Sequence, residues 1–223
     1  MSETTESVQG GQPGVRGSRA GYWGFGLAVG YAVFVRFYQG AGGTIGVPGT
    51  STPESLPSWY MANYVAGLII LLGGVACLFL TQPRVRTIPH KSPVLPGKQI
   101  PKPLMLAACL SPVLLGGVFS VTHGVAGAFT HLLELCGAIE IDYPDDWVTL
   151  NVTSMNLWNI LFYEPWFIAM GVCLLGSARR YLGDTGSTED AIGRVRRVTV
   201  ALIGVLVVAS SLTVIMGWNV EIG

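Results

Sequence analysis

Five long apolar segments dominate this chain and limit the folds that are open to it. They cover residues 22–38, 60–80, 104–121, 155–176 and 198–218. Each is close to the roughly 20 residues that a helix needs to cross the hydrocarbon core of a bilayer. No strand-like alternation of any length competes with them. We therefore predict an all-α fold, a polytopic membrane helical bundle of about five transmembrane helices, formed by a single domain over residues 20–223.

Composition supports a membrane protein. Half of the residues are apolar, only 12% are charged, and the mean hydropathy is +0.52. Soluble domains carry about 25% charged residues, so this composition argues against that class. Residues 1–19 are rich in Ser, Thr, Gly and Gln and have little apolar surface, so we predict a disordered cytoplasmic tail.

The distribution of charge predicts an orientation, because Lys and Arg concentrate in cytoplasmic loops. Residues 81–103 and 177–197 contain ten of the thirteen basic residues, whereas 39–59 and 123–154 contain none and hold six acidic residues. We predict an N-terminus inside and a C-terminus outside, in the bacterial plasma membrane. The predicted orientation explains why the basic residues cluster in two loops, so nucleic acid is not an expected partner. The expected partners are membrane lipids and a lipophilic small molecule. Protein partners stay open.

Glu164 is the strongest candidate for a functional residue, because it lies near the middle of the fourth segment. An ionisable side chain at that depth is costly and marks a functional site by default. Apolar surroundings favour the neutral form of a carboxyl group, which suits a proton donor. Pro165 frees the carbonyl of Leu161, and broken backbone is tolerated in a membrane only where it is buried or lines a cavity.

Aromatic residues and one arginine complete the candidate site. Tyr163 and Trp166 lie too deep to act as interfacial anchors, and aromatic faces beside Glu164, including that of Trp158, could stabilise a developing cation. Arg36, beside Tyr38 in the outer part of the first segment, could reach the interface or bind an anion inside the bundle. Two interpretations remain open: a structural ion pair of Arg36 with Glu164 or Glu134, and an acid–base site fed from the membrane.

The third segment and the residues that follow it, 104–137, would form a helix of about 50 Å at about 1.5 Å per residue, which is longer than a bilayer needs. We therefore predict a kink at Pro112 and a helix end near Gly124 and Gly127. A separate short helix over 128–136 would then cap or re-enter the outer half of the bundle.

That short helix would bring His123, His131 and Glu134 to the outer end of the bundle, where the acidic loop residues are predicted to lie. The spacing of His131 and Glu134 makes a metal site conceivable, but we favour helix packing or an interfacial role and predict no metal. The glycine-rich loop 39–46 matches no phosphate-binding pattern and is predicted to be a flexible lid or turn.

Three short motifs carry a resemblance: RFYQGAGGTIG at 36–46, FYEPWF at 162–167 and ARRY at 178–181. With them the chain resembles, over most of its membrane region, a group of small actinobacterial multi-spanning membrane proteins without an assigned function. More loosely, a chain of this size with carboxylates inside the membrane is similar to the small integral-membrane terpene cyclases, although it has fewer predicted spans. The second resemblance implies an Asp or Glu proton donor, and Glu164 is the matching position.

These observations predict a membrane-integral enzyme that cyclises a lipophilic isoprenoid substrate after protonating it, without a cofactor. Glu164 would protonate an alkene or epoxide, and Asp142 or Glu134 would accept the final proton. The predicted substrate-binding residues are Arg36, Tyr38, Trp158, Tyr163, Trp166 and His131. The alternative is a small membrane transporter or a non-catalytic partner subunit, in which Glu164 and Arg36 gate or pair.

Overall fold

The computed structural model describes residues 19–82, 86–88 and 97–216, and five long helices account for most of them. Helix α1 covers 19–40 and consists of Arg19–Tyr31, Ala32–Phe37 and Tyr38–Gly40. The others are α2 (Leu56–Thr81), α3 (Lys102–Leu135), α4 (Val152–Asp184) and α5 (Glu189–Ile215), and these four are long and apolar enough to cross a membrane. The helical bundle and four membrane-compatible helices are thus confirmed. That α1 also spans the membrane stays a prediction.

The bundle is built around the pair α3 and α4, which share the most extensive contact. Helix α1 packs against α2 and α4, and α5 lies against the outside of α3. The core between α1, α2, α3 and α4 includes the buried side chains of Tyr31, Leu80, Val113, Met170, Leu174 and Tyr181.

Glycines permit the close approach of α3 and α4. A Cβ atom at Gly124 would lie 2.8 Å from the carbonyl oxygen of Glu164, and one at Gly171 would lie 2.9 Å from that of Gly117. Helix α3 runs unbroken through Gly124 and Gly127 to Leu135, so the predicted helix end and the separate helix over 128–136 are wrong. The glycines lie within the helix, where their missing side chains make room for α4.

Three π-helical segments widen the described helices, at Ala32–Phe37, Leu106–Leu110 and Asn159–Tyr163. The last two end just before Ser111-Pro112 and Glu164-Pro165. Because proline has no N–H, it removes a hydrogen bond from the helical ladder, and a wide turn accommodates the loss. At Pro112 and Pro165, where the sequence predicts a kink and broken backbone, the helix continues through one widened turn. The segments at 32–37 and 159–163 carry residues of the site.

A two-stranded antiparallel sheet joins the loops at one end of the bundle. Strand β1 (Gly49–Ser51) pairs with β2 (Trp147–Leu150), in a register that sets Thr50 opposite Thr149. Their hydroxyl oxygens are 2.7 Å apart. These strands were not predicted from the sequence, and they tie together the two loops that lack basic residues.

Candidate functional site

A cavity of about 240 Å³ lies at the end of the bundle that carries the small sheet. Its walls are largely aromatic, contributed by Tyr31, Trp59, Trp147, Trp158, Tyr163 and Phe167. Polar side chains also line it, namely Arg36, Gln39, His123 and Asn159. Aromatic walls with a few polar groups are typical of a site for a small lipophilic molecule.

Glu164 lies directly behind this wall. Its side chain is on α4 at the contact with α3, and the residue is only 2% exposed. The absence of a side chain at Gly127 makes room for it, because a Cβ there would lie 2.9 Å from Oε2 of the carboxyl group. That same Oε2 atom is buried and has no hydrogen-bond partner among the residues that the structure describes. An unsatisfied buried carboxyl oxygen of this kind calls for a functional explanation.

His123 connects the carboxyl group to the cavity. Its Nε2 atom lies 3.8 Å from Oε2 of Glu164, and the imidazole lines the cavity with 45% of its side chain accessible. The ring stacks on Phe119 at 5.6 Å between centroids and meets Phe167 edge-on at 4.7 Å. Sequence reasoning favoured a packing or interfacial role for His123 over a metal site with His131 and Glu134. Its spacing of four residues from Gly127 places both on one face of α3, but nothing in the sequence shows that Glu164 faces them.

Arg36 lies in the cavity wall, on the widened turn of α1. Its Nη1 atom donates a hydrogen bond of 3.2 Å to Oδ1 of Asn63, which in turn donates from Nδ2 to the carbonyl of Trp59 at 3.0 Å. The guanidinium carbon lies 5.5 Å from the centre of the Tyr31 ring. The Nε atom is buried and has no hydrogen-bond partner.

A structural ion pair of Arg36 with Glu164 or Glu134, one of the two interpretations that the sequence left open, is not formed. Among the described residues, the carboxyl groups within 4.0 Å of a basic side chain are those of Asp184, which pairs with Arg180, and Glu164, which lies beside His123, a residue that is charged only when it is protonated. Asn63 is the neutral partner of Arg36 instead. Sequence reasoning missed Asn63, because an asparagine within an apolar helix does not reveal which neighbouring helix it faces.

The glycine-rich loop closes one side of the cavity through Tyr163. The phenol donates a hydrogen bond of 3.0 Å to the carbonyl of Gly46 and accepts one of 3.1 Å from Gln39. Gly42 and Gly46 have φ angles of 88° and 77°, a region that L side chains rarely adopt, so the loop needs glycine at both positions. The segment forms the turn that the sequence predicted, and it is fastened to α4.

Replacing Tyr163 with phenylalanine is expected to loosen this loop. The substitution keeps the ring but removes both hydrogen bonds, at a cost of about 1 kcal/mol for each bond. Hydrogen–deuterium exchange should therefore become faster over residues 41–47. Tyr64→Phe serves as the matched control, because that ring packs against Phe37 on the other side of α1. Equal exchange in wild type and Tyr163→Phe would show that the phenol does not hold the loop.

The remaining predicted binding residues lie around the cavity in different roles. Trp158 lines it, at 6.1 Å from Tyr163 between ring centroids. Trp166 donates from its indole to the carbonyl of Leu27 at 3.1 Å and so joins α4 to α1. Tyr38 is partly exposed and packs over Gly43 in the loop. His131 is hydrogen-bonded through Nδ1 to the buried Asn156 at 2.7 Å. Of these four residues, only Trp158 forms part of the cavity wall.

The predicted proton acceptors lie elsewhere. Glu134 accepts a hydrogen bond of 2.7 Å from Tyr143, and both line a second surface cavity formed with the loop after α3. Burial and then this hydrogen bond raise the pKa of the Tyr143 phenol above its ordinary value. Asp142 is exposed in the same loop. Neither carboxylate lines the aromatic cavity.

The three residues considered for a metal site, His123, His131 and Glu134, each contact a different partner. His123 faces Glu164, His131 bonds to Asn156, and Glu134 bonds to Tyr143. Within residues 19–82, 86–88 and 97–216, no group of three or more His, Cys, Asp or Glu side chains could hold a metal ion. The histidines therefore act in this structure through pairwise contacts.

No protein-family model, curated protein or solved structure matches this chain. A functional conclusion therefore rests on the chemistry of the site.

Proposed function

We propose that this chain is a membrane-integral enzyme that cyclises a lipophilic isoprenoid by protonating it from the Glu164–His123 pair. The observation that carries the proposal is the buried carboxyl group of Glu164, whose unpartnered oxygen lies 3.8 Å from an imidazole in the wall of an aromatic cavity. A positioned general acid contributes about 10²- to 10⁴-fold to a rate, which makes such a pair worth its cost in a membrane.

The proton would travel from Glu164 to the cavity through His123. The imidazole takes the carboxyl proton at Nε2 and releases its other proton from Nδ1 towards the substrate. The distance of 3.8 Å is longer than a hydrogen bond, and such contacts often shorten only when substrate is bound. This relay explains how an acid that lies behind the wall can act on a molecule inside the cavity.

The chemistry conserves atoms. The transferred proton forms a new C–H bond at an alkene carbon, or opens an epoxide to a hydroxyl group. The resulting cation is attacked by the next double bond, which closes a ring, and a C–H proton is finally lost. Aromatic faces such as Trp158 and Tyr163 would stabilise the cation. Because Asp142 and Glu134 do not line the cavity, we assign the return of the proton to His123 and Glu164, and the product is an isomer of the substrate.

The test is chemical analysis of a host that makes several prenyl precursors. Lipid extracts from cells with the chain and from cells with an empty vector are compared by liquid chromatography and mass spectrometry. The proposal expects a new compound with the mass of a precursor and a different retention time. Identical extracts for every precursor at verified expression would reject the enzyme.

We further propose that α1 is a fifth span, that the N-terminal side of α1 is inside, and that the membrane is the bacterial plasma membrane. The sheet supports this arrangement, because β1 and β2 join the two loops without basic residues at one end of the bundle. Alkaline phosphatase fused after residue 146 is expected to be active, because that loop would lie outside, and a fusion after residue 186 is expected to be inactive. The reverse pattern would overturn the orientation.

A second candidate is a non-catalytic partner subunit. The observation that favours it is helix α5, none of whose residues is buried within the chain although it is apolar enough to span a membrane. A partner subunit would leave every lipid unchanged and would migrate with another protein on native gels of gently solubilised membranes. Migration of the chain by itself, together with a new isomeric lipid, would exclude this candidate.

A further inference from the structure

We infer that the cavity binds the small anionic headgroup of a lipophilic molecule at Arg36, so that the substrate is an amphiphile with one negative charge, such as a carboxylate or a phosphate diester. This inference rests on the proposed function and deepens it by defining the substrate class. Its source is the hydrogen bonding of Arg36, which is incomplete on the side of the guanidinium that carries Nε.

The hydrogen-bond donors of Arg36 are only partly satisfied by the described residues. A guanidinium group is always charged in proteins and has donors but no acceptor. Asn63 accepts from Nη1, and the ring of Tyr31 faces the guanidinium carbon, but neither brings a negative charge. Among the described residues, no carboxylate pairs with this half-buried guanidinium, and its buried Nε atom has no acceptor, which leaves a donor unsatisfied. An anion in the cavity would supply both the negative charge and the acceptor.

Arg36 lies among other hydrogen-bond donors in the cavity wall. In the part of the chain that the structure describes, no residue that lines the cavity carries a carboxylate, and the other polar side chains there include donors from Gln39, His123, Asn159 and Tyr163. The Gln39 amide and the Tyr163 hydroxyl already form hydrogen bonds with each other and with the loop. Of the described residues in this wall, Arg36 is therefore the one that is permanently charged. A single guanidinium balances a single negative charge, which favours a monoanion over a diphosphate.

The apolar part of the cavity wall favours a ligand with a hydrocarbon tail. Beside Arg36 the walls are apolar and aromatic, with Trp59, Trp147, Met155, Trp158 and Phe167. A free anion would gain nothing from them, whereas a hydrocarbon tail would bury its surface there. Binding the headgroup at Arg36 would also hold the tail beside His123, which is the orientation that proton transfer requires.

The test compares two ligands that share one hydrocarbon tail and differ in the charge of the headgroup. The full chain is placed in phosphatidylcholine nanodiscs and titrated at neutral pH with farnesoic acid and with its methyl ester. Binding is followed by tryptophan fluorescence, because Trp59, Trp147 and Trp158 line the cavity. The ionised acid is expected to bind at least about tenfold more tightly than the ester, since charge-assisted hydrogen bonds are the strong ones. Equal affinities in wild type would overturn the inference without any variant.

Two variants locate the effect. Arg36→Gln is expected to reduce the preference for the acid to about one, whereas Arg36→Lys keeps part of it, because the charge remains but the planar donor set is lost. Arg180→Gln is the matched control, because it removes an exposed arginine whose partner is Asp184 on α4. A preference that persists in folded Arg36→Gln would place the anion site elsewhere. Circular dichroism and size-exclusion chromatography establish that each variant is folded.

Two further arms identify where the anion comes from. Loss of farnesoate binding in phosphatidylglycerol nanodiscs would show that a lipid headgroup occupies the same site, and competition by inorganic phosphate would show that a free anion does. Either result supports an anion site at Arg36. Preference for the acid without any cyclised product would keep this site and reject the enzyme. Cyclisation of the ester as efficiently as the acid would keep the enzyme and reject the anion site.

Discussion

Replacement of Glu164 by glutamine is expected to lower formation of the cyclised product by at least about 10²-fold, the usual contribution of a general acid. Glutamine keeps the size and shape of the side chain but has no acidic proton to give. The carboxyl group lies in a space that Gly127 leaves open, so the amide should fit without moving α3. Product is measured by mass spectrometry at matched amounts of folded protein in the membrane.

Stability separates this chemical effect from a structural one. The buried oxygen of Glu164 has no hydrogen-bond partner, so removing the ionisable group should leave the thermal unfolding temperature unchanged or raise it. Asp184→Asn provides the matched control, because it removes a carboxylate of the same helix that pairs with Arg180 at 3.2 Å. This ion pair is partly exposed and contributes little. Unchanged turnover in Glu164→Gln would remove the residue from the mechanism.

Proton transfer from Glu164 through His123 predicts a further result for a double variant. If the proton passes through His123, then His123→Gln should also lose most of the activity, and the double variant should be no worse than the more damaged single variant. Residues that act as one unit are strongly non-additive in this way. Independent losses that multiply in the double variant would show that His123 acts separately from Glu164.

Gly124→Val is expected to prevent assembly of the bundle. The new side chain would begin 2.6 Å from Cγ1 of Ile168 and 2.8 Å from the carbonyl oxygen of Glu164, where backbone cannot give way as a flexible side chain could. Overpacking of an interior costs about 1–3 kcal/mol, and more where it separates whole helices. The crossing of α3 and α4 is the largest helix contact, so the effect should spread through the bundle.

The measurement is the yield of monodisperse protein after detergent extraction, followed by thermal unfolding. Gly204→Val is the control, because a Cβ at Gly204 on α5 meets nothing within 4 Å. The control should purify like wild type, whereas Gly124→Val should aggregate or unfold at a clearly lower temperature. Equal stability of the two variants would mean that α3 and α4 do not cross at this glycine.

Part of the structure follows from the sequence because it depends on length and composition. The apolar runs predict the helices, and Pro165 predicts irregular backbone beside Glu164, which the widened turn Asn159–Tyr163 provides. The short strands β1 and β2 are three and four residues long and leave no readable alternation.

The part that sequence reasoning missed depends on which helices face each other. Gly124 and Gly127 have the composition of a helix end but serve as a contact with α4, and both uses favour glycine. The pairing of Arg36 with Asn63 and of Glu164 with His123 joins residues far apart in the chain. A single sequence contains the residues of the site but not their partners.

The most direct test of the central claim uses purified protein in nanodiscs, incubated in D₂O with a panel of acyclic prenyl alkenes and their terminal epoxides, each with and without an anionic headgroup. The account predicts a cyclic isomer from at least one substrate, carrying one carbon-bound deuterium when an alkene is protonated, and its loss in Glu164→Gln. Folded wild-type protein that returns every substrate unchanged, or that forms product equally well without the Glu164 carboxyl group, would contradict it.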